Sequence, residues 1–218
     1  VKISPLYGID PAAMTAAGST HGAMLSGSGG QPDLQHVLRT FAYVSGAIRK
    51  LPLGPNYDPA QVEPLVQYIM SLKPPVNPNM PDPAAVAAGA DLFRQQCFSC
   101  HNGPAFAGTT VFDPAEIGTD PNIAKMLDPN HSGAALDEAV TPPELTYGVR
   151  ARRLPGIWAW TRFFHNGELT TLEDVFCLNG PRPASPPYDG HSTAGHMYTC
   201  EGLTTDQKQS LIAFLKSL

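Results

Sequence analysis

Two cysteines three positions apart, with a histidine directly behind them, constrain this chain more than any other stretch: Cys97-Phe98-Ser99-Cys100-His101. Cys-x-x-Cys-His is the spacing by which c-type haem is attached. At a helix end two such thiols share one side, and each can form a thioether to one vinyl group of the same macrocycle. The histidine is then delivered beneath the iron as an axial ligand. Two rival chemistries also use paired cysteines. A four-cysteine zinc site would have to recruit Cys177 and Cys200, which form no second closely spaced pair. A thioredoxin-like dithiol would sit beside a βαβ pattern, which the chain lacks. The motif predicts one covalent haem c.

The rest of the chain suits a fold that borrows its core from such a group. Charged residues make up 15%, against a usual share of about 25%. The chain carries 20 glycines and 23 prolines, which predicts short helices tied by long, stiff loops. Residues 1–35 read as loop. Helical periodicity runs from Asp33 to Lys50 through Leu34, Val37, Leu38, Phe41, Val44 and Ile48. It returns from Asp58, an N-cap before Pro59, to Leu72, where Lys73-Pro74-Pro75 stops it. A third helix starts at Asp82-Pro83 and runs through Val86, Gly89 and Phe93 to Cys97. The last begins with a capping box, Thr204-x-x-Gln207, and continues through Leu211, Ile212, Phe214 and Leu215 to Leu218. Between Cys100 and Cys200 the reading is mostly loop, with short helices near Ala134–Val140 and from Thr171 to Cys177, the latter capped by Thr170 or Thr171. No alternating strand pattern survives. The class is mainly α.

Leu65–Leu72 and Leu211–Leu218 share the form Leu-x-x-aromatic-aliphatic-x-Ser-Leu. Two amphipathic helices can agree by chance; two related domains with matching closing helices are the sharper reading. The proline run near 74–82 then marks the boundary, dividing residues 1–80 from 81–218.

Cys177 and Cys200 remain. Outside the cytoplasm an even remainder is most simply a disulfide, the alternative being two free thiols. Such a bond would stabilise the fold by roughly 3 kcal/mol in the chain-entropy model. It would also hold the stretch before Cys200, Gly195-His196-Met197-Tyr198-Thr199, against the helix ending at Cys177. A distal ligand must be held rigidly over the iron, so His196 is the first candidate and Met197 the alternative. Methionine would raise the potential relative to a second histidine.

The net charge of −5, with 14 Lys+Arg, argues against nucleic acid or an anionic membrane surface as partner. No uncharged apolar run reaches the roughly 18 residues of a membrane span. The start shows no leader, which predicts a mature chain that is periplasmic or secreted.

Residues Asp82 to Leu218 resemble the second haem domain of the bacterial dihaem cytochrome c peroxidase superfamily, with the nearest likeness to the branch that includes the rubber oxygenases. Four stretches carry the resemblance: Ala88-Gly89-Ala90-x-Leu92-Phe93 leading into the haem motif; Ala151-Arg152-Arg153-Leu154-Pro155-Gly156-Ile157-Trp158; Phe164-His165-Asn166-Gly167-Glu168-Leu169-Thr170-Thr171-Leu172-Glu173-Asp174; and Gly195-His196-x-Tyr198. The resemblance implies a cytochrome c-like domain with long Pro/Gly-rich loops, preceded by a partial or degenerate cytochrome-like domain. In that superfamily the position fourteen after His165 often carries a methionine, or a tyrosine, as ligand; here it is Asn179, a weak iron ligand. The Gly-His motif is the ligand source in the rubber-oxygenase-like branch, which agrees with His196. The first haem of that family reacts with peroxide or oxygen and the second relays electrons, so the resemblance implies a relay.

Several residues take supporting parts. Arg152, with Arg150 and Arg153, is a candidate partner for a haem propionate, against a solvated basic loop. Trp158 and Trp160 either line the haem or simply pack. His165 suits hydrogen bonding around the site. Phe93 and Phe214, with Gly89 between them, predict a close crossing of the third and last helices. His21, His36, His131 and His191 have no motif around them. The expected function is an electron-transfer c-type cytochrome with one bis-histidine haem and a redox partner protein. The rival is the relay portion of a dihaem peroxidase/oxygenase-type enzyme whose reactive haem lies on an upstream fragment or subunit.

Overall fold

The computed structural model describes Tyr7 and residues 63–108, 110–125, 148–184 and 190–218. The helices read from Asp33 and near Ala134, the first turn of the helix from Asp58, and His21, His36 and His131 lie outside the described residues. Six α-helices are described: α1 Glu63–Ser71, α2 Pro83–Gln96, α3 Pro114–Ile117, α4 Asn122–Lys125, α5 Leu172–Val175 and α6 Thr205–Ser217. Among the described residues there is no strand, only isolated bridges at Phe112–Val149 and Phe163–Leu169. The fold is mainly α. No described helix is long and apolar enough to cross a membrane.

The two long helices start where their side chains supply the missing acceptors. The Asp82 carboxylate accepts from the Ala84 and Ala85 amides, both at 3.0 Å, and Pro83 occupies the first turn, where its absent N–H costs nothing. Thr204 and Gln207 exchange side-chain and backbone hydrogen bonds at the head of α6. Thr171, rather than Thr170, caps α5, and Asp174 closes the reciprocal bond.

Helices α2 and α6 cross at Gly89. A methyl group there would lie 1.9 Å from the Ser210 carbonyl oxygen and 2.8 Å from Phe214 Cβ. Only the missing side chain allows this approach. One turn along, the Phe93 and Phe214 rings meet with centroids 5.1 Å apart, and Phe106 packs edge-on against both. Around this crossing lies the core: Phe93, Leu154, Ile157, Phe163, Leu169, Leu172, Phe176, Leu211, Ile212 and Leu215. Leu211 is fully buried, a burial that contributes about 1.5–3 kcal/mol.

Helices α1 and α6 share a sequence pattern but not an environment. Leu65 is 46% exposed where its counterpart Leu211 is 0%. The proline run after α1 is not a free tether: the Pro75 carbonyl accepts from the Trp158 indole and Asn77 donates to the Lys216 carbonyl. Tyr7 also reaches this unit, donating to the Gly156 carbonyl and accepting from the Trp160 indole.

The stretch between Cys100 and Cys200 holds more helix than its composition announced. Helix α3 is capped by Asp113, begins with Pro114 and ends at Gly118 in the left-handed conformation. Asp-Pro before and Gly after are the ordinary punctuation of a helix, but with one turn between them there is no periodicity to detect.

Candidate cofactor site

The Cys97–His101 segment continues α2 by one irregular turn. The Cys97 amide donates to the Phe93 carbonyl, and the amides of Cys100 and His101 both donate to the Cys97 carbonyl. Offsets of three and four residues place Cys97, Cys100 and His101 on one side. Both thiols are free and half-buried. Burial, reinforced by the neighbouring Cys100, pushes the Cys97 thiol up to about 11, so it stands as a neutral thiol.

The loop after the motif fixes the imidazole. Ala105 and Phe106 both adopt left-handed backbone, turning the chain so that the Phe106 carbonyl lies 2.6 Å from His101 Nδ1. A carbonyl can only accept, so Nδ1 carries the proton and Nε2 keeps its lone pair. The Arg152 carbonyl also lies near this ring. Burial still lowers the His101 pKa below the usual histidine range, against the two carbonyls that favour the charged form. Gly108 makes the arrangement possible. It passes so close to the Cys100 carbonyl that a methyl group would sit 2.7 Å from that oxygen.

Opposite His101 stands His196. The ring centres are 6.4 Å apart with planes inclined by 31°. Two imidazoles on opposite sides of one ion, each nitrogen about 2 Å from it, hold their centres roughly 6 Å apart. His196 is neutral: burial, the facing His101 and the Arg182 cation together pull its pKa down to about 3. Phe164 stacks parallel to the His196 ring at 6.1 Å and Tyr198 meets it at 5.1 Å. Tyr198 itself has a raised pKa, through burial first and then the two nearby thiols.

Both histidines open on a cavity of about 390 Å³ whose walls include Cys97, Cys100, Phe93, Leu154, Phe163 and Leu215. That size lies within the range of small-molecule and cofactor sites. Arg150 and Arg152 also line it, their pKa values lowered by burial. Arg153 is buried too, its pKa lowered to about 10 by burial and by the adjacent Arg152, but it does not reach the wall. Arginines among an otherwise apolar lining suit a ligand that carries carboxylates.

The structure joins Cys177 to Cys200, and an oxidised pair cannot ligate zinc. Among the described residues no group of three or more His, Cys, Asp or Glu could enclose a bare ion. The donor set is two opposed imidazoles and two thiols on one rim. It could hold a flat group that brings its own equatorial ligands to a metal.

Three sequence candidates lie elsewhere. Trp158 is not on the cavity wall; its indole donates to Pro75 at 2.9 Å, and Trp160 takes the lining position. The reason is the short turn Ile157–Ala159, which sends Ile157 inward and Trp158 toward the linker. Met197, 41% exposed, points its sulfur at Arg182 and away from the cavity. Asn179 is exposed and donates to Asp174. His165 lines the cavity and its Nε2 lies 3.0 Å from the Gly190 carbonyl, while Asn166 donates to His191 and Ser192. That loop secures the approach to His196.

Arg182, Phe164 and Tyr198 were not singled out as site residues from sequence. Only Pro181-Arg182-Pro183 carried a signal, an arginine held between two rigid residues. Comparison with protein-family models, curated proteins and solved structures finds no significant match to the chain, so its chemistry is read from its own residues.

Proposed function

We propose that the chain is an electron-transfer protein of the c-type cytochrome class. In this reading residues 81–218 would form a cytochrome c-like domain around one haem c, which Cys97 and Cys100 would hold as thioethers and which His101 and His196 would hold at the iron. Residues 1–80 are then a partial or haem-less cytochrome-like segment. One observation carries the reading: two neutral, partly buried imidazoles face each other at 6.4 Å over a cavity whose rim bears the two free thiols of a Cys-x-x-Cys-His motif. The close α2–α6 crossing at Gly89 supports it.

Haem, when bound, supplies a one-electron ferric/ferrous couple. The chain's residues supply the rest. The Phe106 carbonyl keeps the proton on His101 Nδ1 and the lone pair on Nε2. His196 sits on a loop tied down by the Cys177–Cys200 bond. With both donors in place before any electron moves, little reorganises during transfer. Apolar walls exclude water, and Arg150 and Arg152 are set to receive carboxylates. A disulfide suits the periplasm or the exterior of the cell, where the partner would be another redox protein.

The second reading is the relay portion of a dihaem peroxidase/oxygenase-type enzyme whose reactive haem lies on an upstream segment or another chain. The shared pattern of α1 and α6 favours it.

Both readings are tested by maturing the chain in a host that attaches haem c. Intact mass should exceed the polypeptide's by one haem, and mapping should place it on the peptide with Cys97 and Cys100. The oxidised protein should be low-spin, His196→Ala should turn it high-spin, and Met197→Leu should leave it unchanged. A colourless product with the bare polypeptide's mass refutes both. Mapping the native chain's first residues and counting haems in the native complex separates one reading from the other.

A further inference from the structure

The loop that carries His196 is held by one guanidinium. Arg182 Nη1 donates to the carbonyls of Gly195 at 2.5 Å and Thr193 at 3.2 Å. Its Nη2 donates to the carbonyls of Val175 at 2.7 Å and His196 at 3.1 Å, and to the Thr199 hydroxyl at 2.9 Å. The fork thus joins the end of α5 to both flanks of His196. Arginine alone offers several N–H groups in one rigid plane; lysine carries the charge on a single flexible point.

The same group reaches the imidazole through a ring. The Arg182 guanidinium carbon lies 4.6 Å from the centre of Phe164, and Phe164 lies parallel to His196 within 8°. Phe164 and His196 both sit in the left-handed backbone region, with φ of 58° and 53°. Residues with a Cβ stay in that region only where their surroundings over-determine it. Arg182 provides that determination: it holds the His196 carbonyl from one side and the Phe164 face from the other. Pro181 and Pro183 keep its own backbone extended and stiff.

We propose that Arg182 is the positioning residue of this centre: it clamps the His196 loop to α5 and, through Phe164, sets the plane of the His196 ring. The inference rests on the haem reading but concerns one residue outside the cavity wall. A cation so placed also favours the ferrous over the ferric charge state, raising the potential.

The test compares wild type, Arg182→Lys, Arg182→Gln and Phe164→Leu, each as haem-loaded protein. The readouts are electron paramagnetic resonance, carbon monoxide binding to the reduced form, and potential. For Arg182→Gln we expect a mixed low-spin and high-spin ferric signal, at least tenfold tighter carbon monoxide binding and a lower potential. Arg182→Lys should keep the potential close to wild type yet broaden the low-spin signal, because the charge remains and the fork is lost. Phe164→Leu should shift the low-spin g values while keeping the protein six-coordinate. A folded Arg182→Gln protein with wild-type resonance, carbon monoxide affinity and potential overturns the proposal. So does a variant that only melts earlier with its ligation unchanged. If Arg182→Gln fails to fold, Arg182→Lys and Phe164→Leu decide: unaltered g values in both overturn it. The underlying reading fails separately, if wild type takes up no haem or if His196→Ala leaves the spectrum as it was.

Discussion

Replacing Gly89 by alanine sets two effects against each other, and the structure says which wins. In a helix interior alanine is favoured over glycine by about 0.8–1.0 kcal/mol, so helix propensity alone makes the variant more stable. The new methyl, however, would lie 1.9 Å from the Ser210 carbonyl oxygen. A carbon–oxygen contact relaxes only near 3.3 Å, so α2 and α6 would have to separate by more than an ångström. Both contacts are unyielding, one to backbone and one to the Phe214 Cβ at 2.8 Å. Overpacking of this kind costs about 1–3 kcal/mol. Parting the Phe93–Phe214 pair removes about another 0.5–1.5 kcal/mol. Set against propensity, the net loss is about 2 kcal/mol, or about 4–8 °C in Tm for a chain of this length. Urea unfolding followed by circular dichroism measures it, with Ala88→Gly on the exposed face as a control for propensity alone. The effect should also reach the site, because α2 leads directly into Cys97–His101: the haem-loaded variant should show weakened low-spin bands. A Gly89→Ala protein as stable as wild type or more so would refute the claim that backbone contact sets this crossing.

Replacing Cys177 and Cys200 together by serine should cost roughly 3 kcal/mol by the chain-entropy model for a loop of this size. It should also loosen the His196 loop, read as increased carbon monoxide binding to the reduced form; unchanged binding would show that Arg182 and Thr199 suffice. The pH prediction concerns Asp174, whose carboxylate accepts from Asn179 first and then from Thr171 and Thr170, giving a pKa of about 2. An acid whose folded pKa lies below its unfolded value of about 3.9 adds stability that is complete above the unfolded value. That stability is lost as pH falls through the folded one. Asp174→Asn should therefore flatten the dependence of Tm on pH between about 4 and 2, checked by calorimetry; an unaltered slope would put the acid sensitivity elsewhere.

What could be read from the sequence was local. Asp82-Pro83 and Thr204-x-x-Gln207 announce helix starts because a cap is satisfied within four residues, while the choice between Thr170 and Thr171 as cap of α5 was left to the structure. Cys97, Cys100 and His101 share one side because one helical turn puts them there. Gly89 and Phe93 foretold the crossing because small and aromatic residues one turn apart leave little other use. The pairing of Cys177 with Cys200 followed from there being just two further cysteines.

The tertiary structure decided what depends on residues distant in the chain. His196 was the first candidate and its neighbour Met197 the alternative, and the left-handed turn at His196 sends one inward and the other toward Arg182. Trp158 was the expected lining residue, and a single short turn gave that place to Trp160. The Phe106 carbonyl reaches His101 only through two left-handed residues that no periodicity predicts. Arg182 gained its importance from carbonyls on α5 and on the loop around His196, and a carbonyl has no letter of its own in the sequence. Caps and turns are settled by bonds within a few residues, whereas a site is settled by the packing that brings separate loops to one cavity.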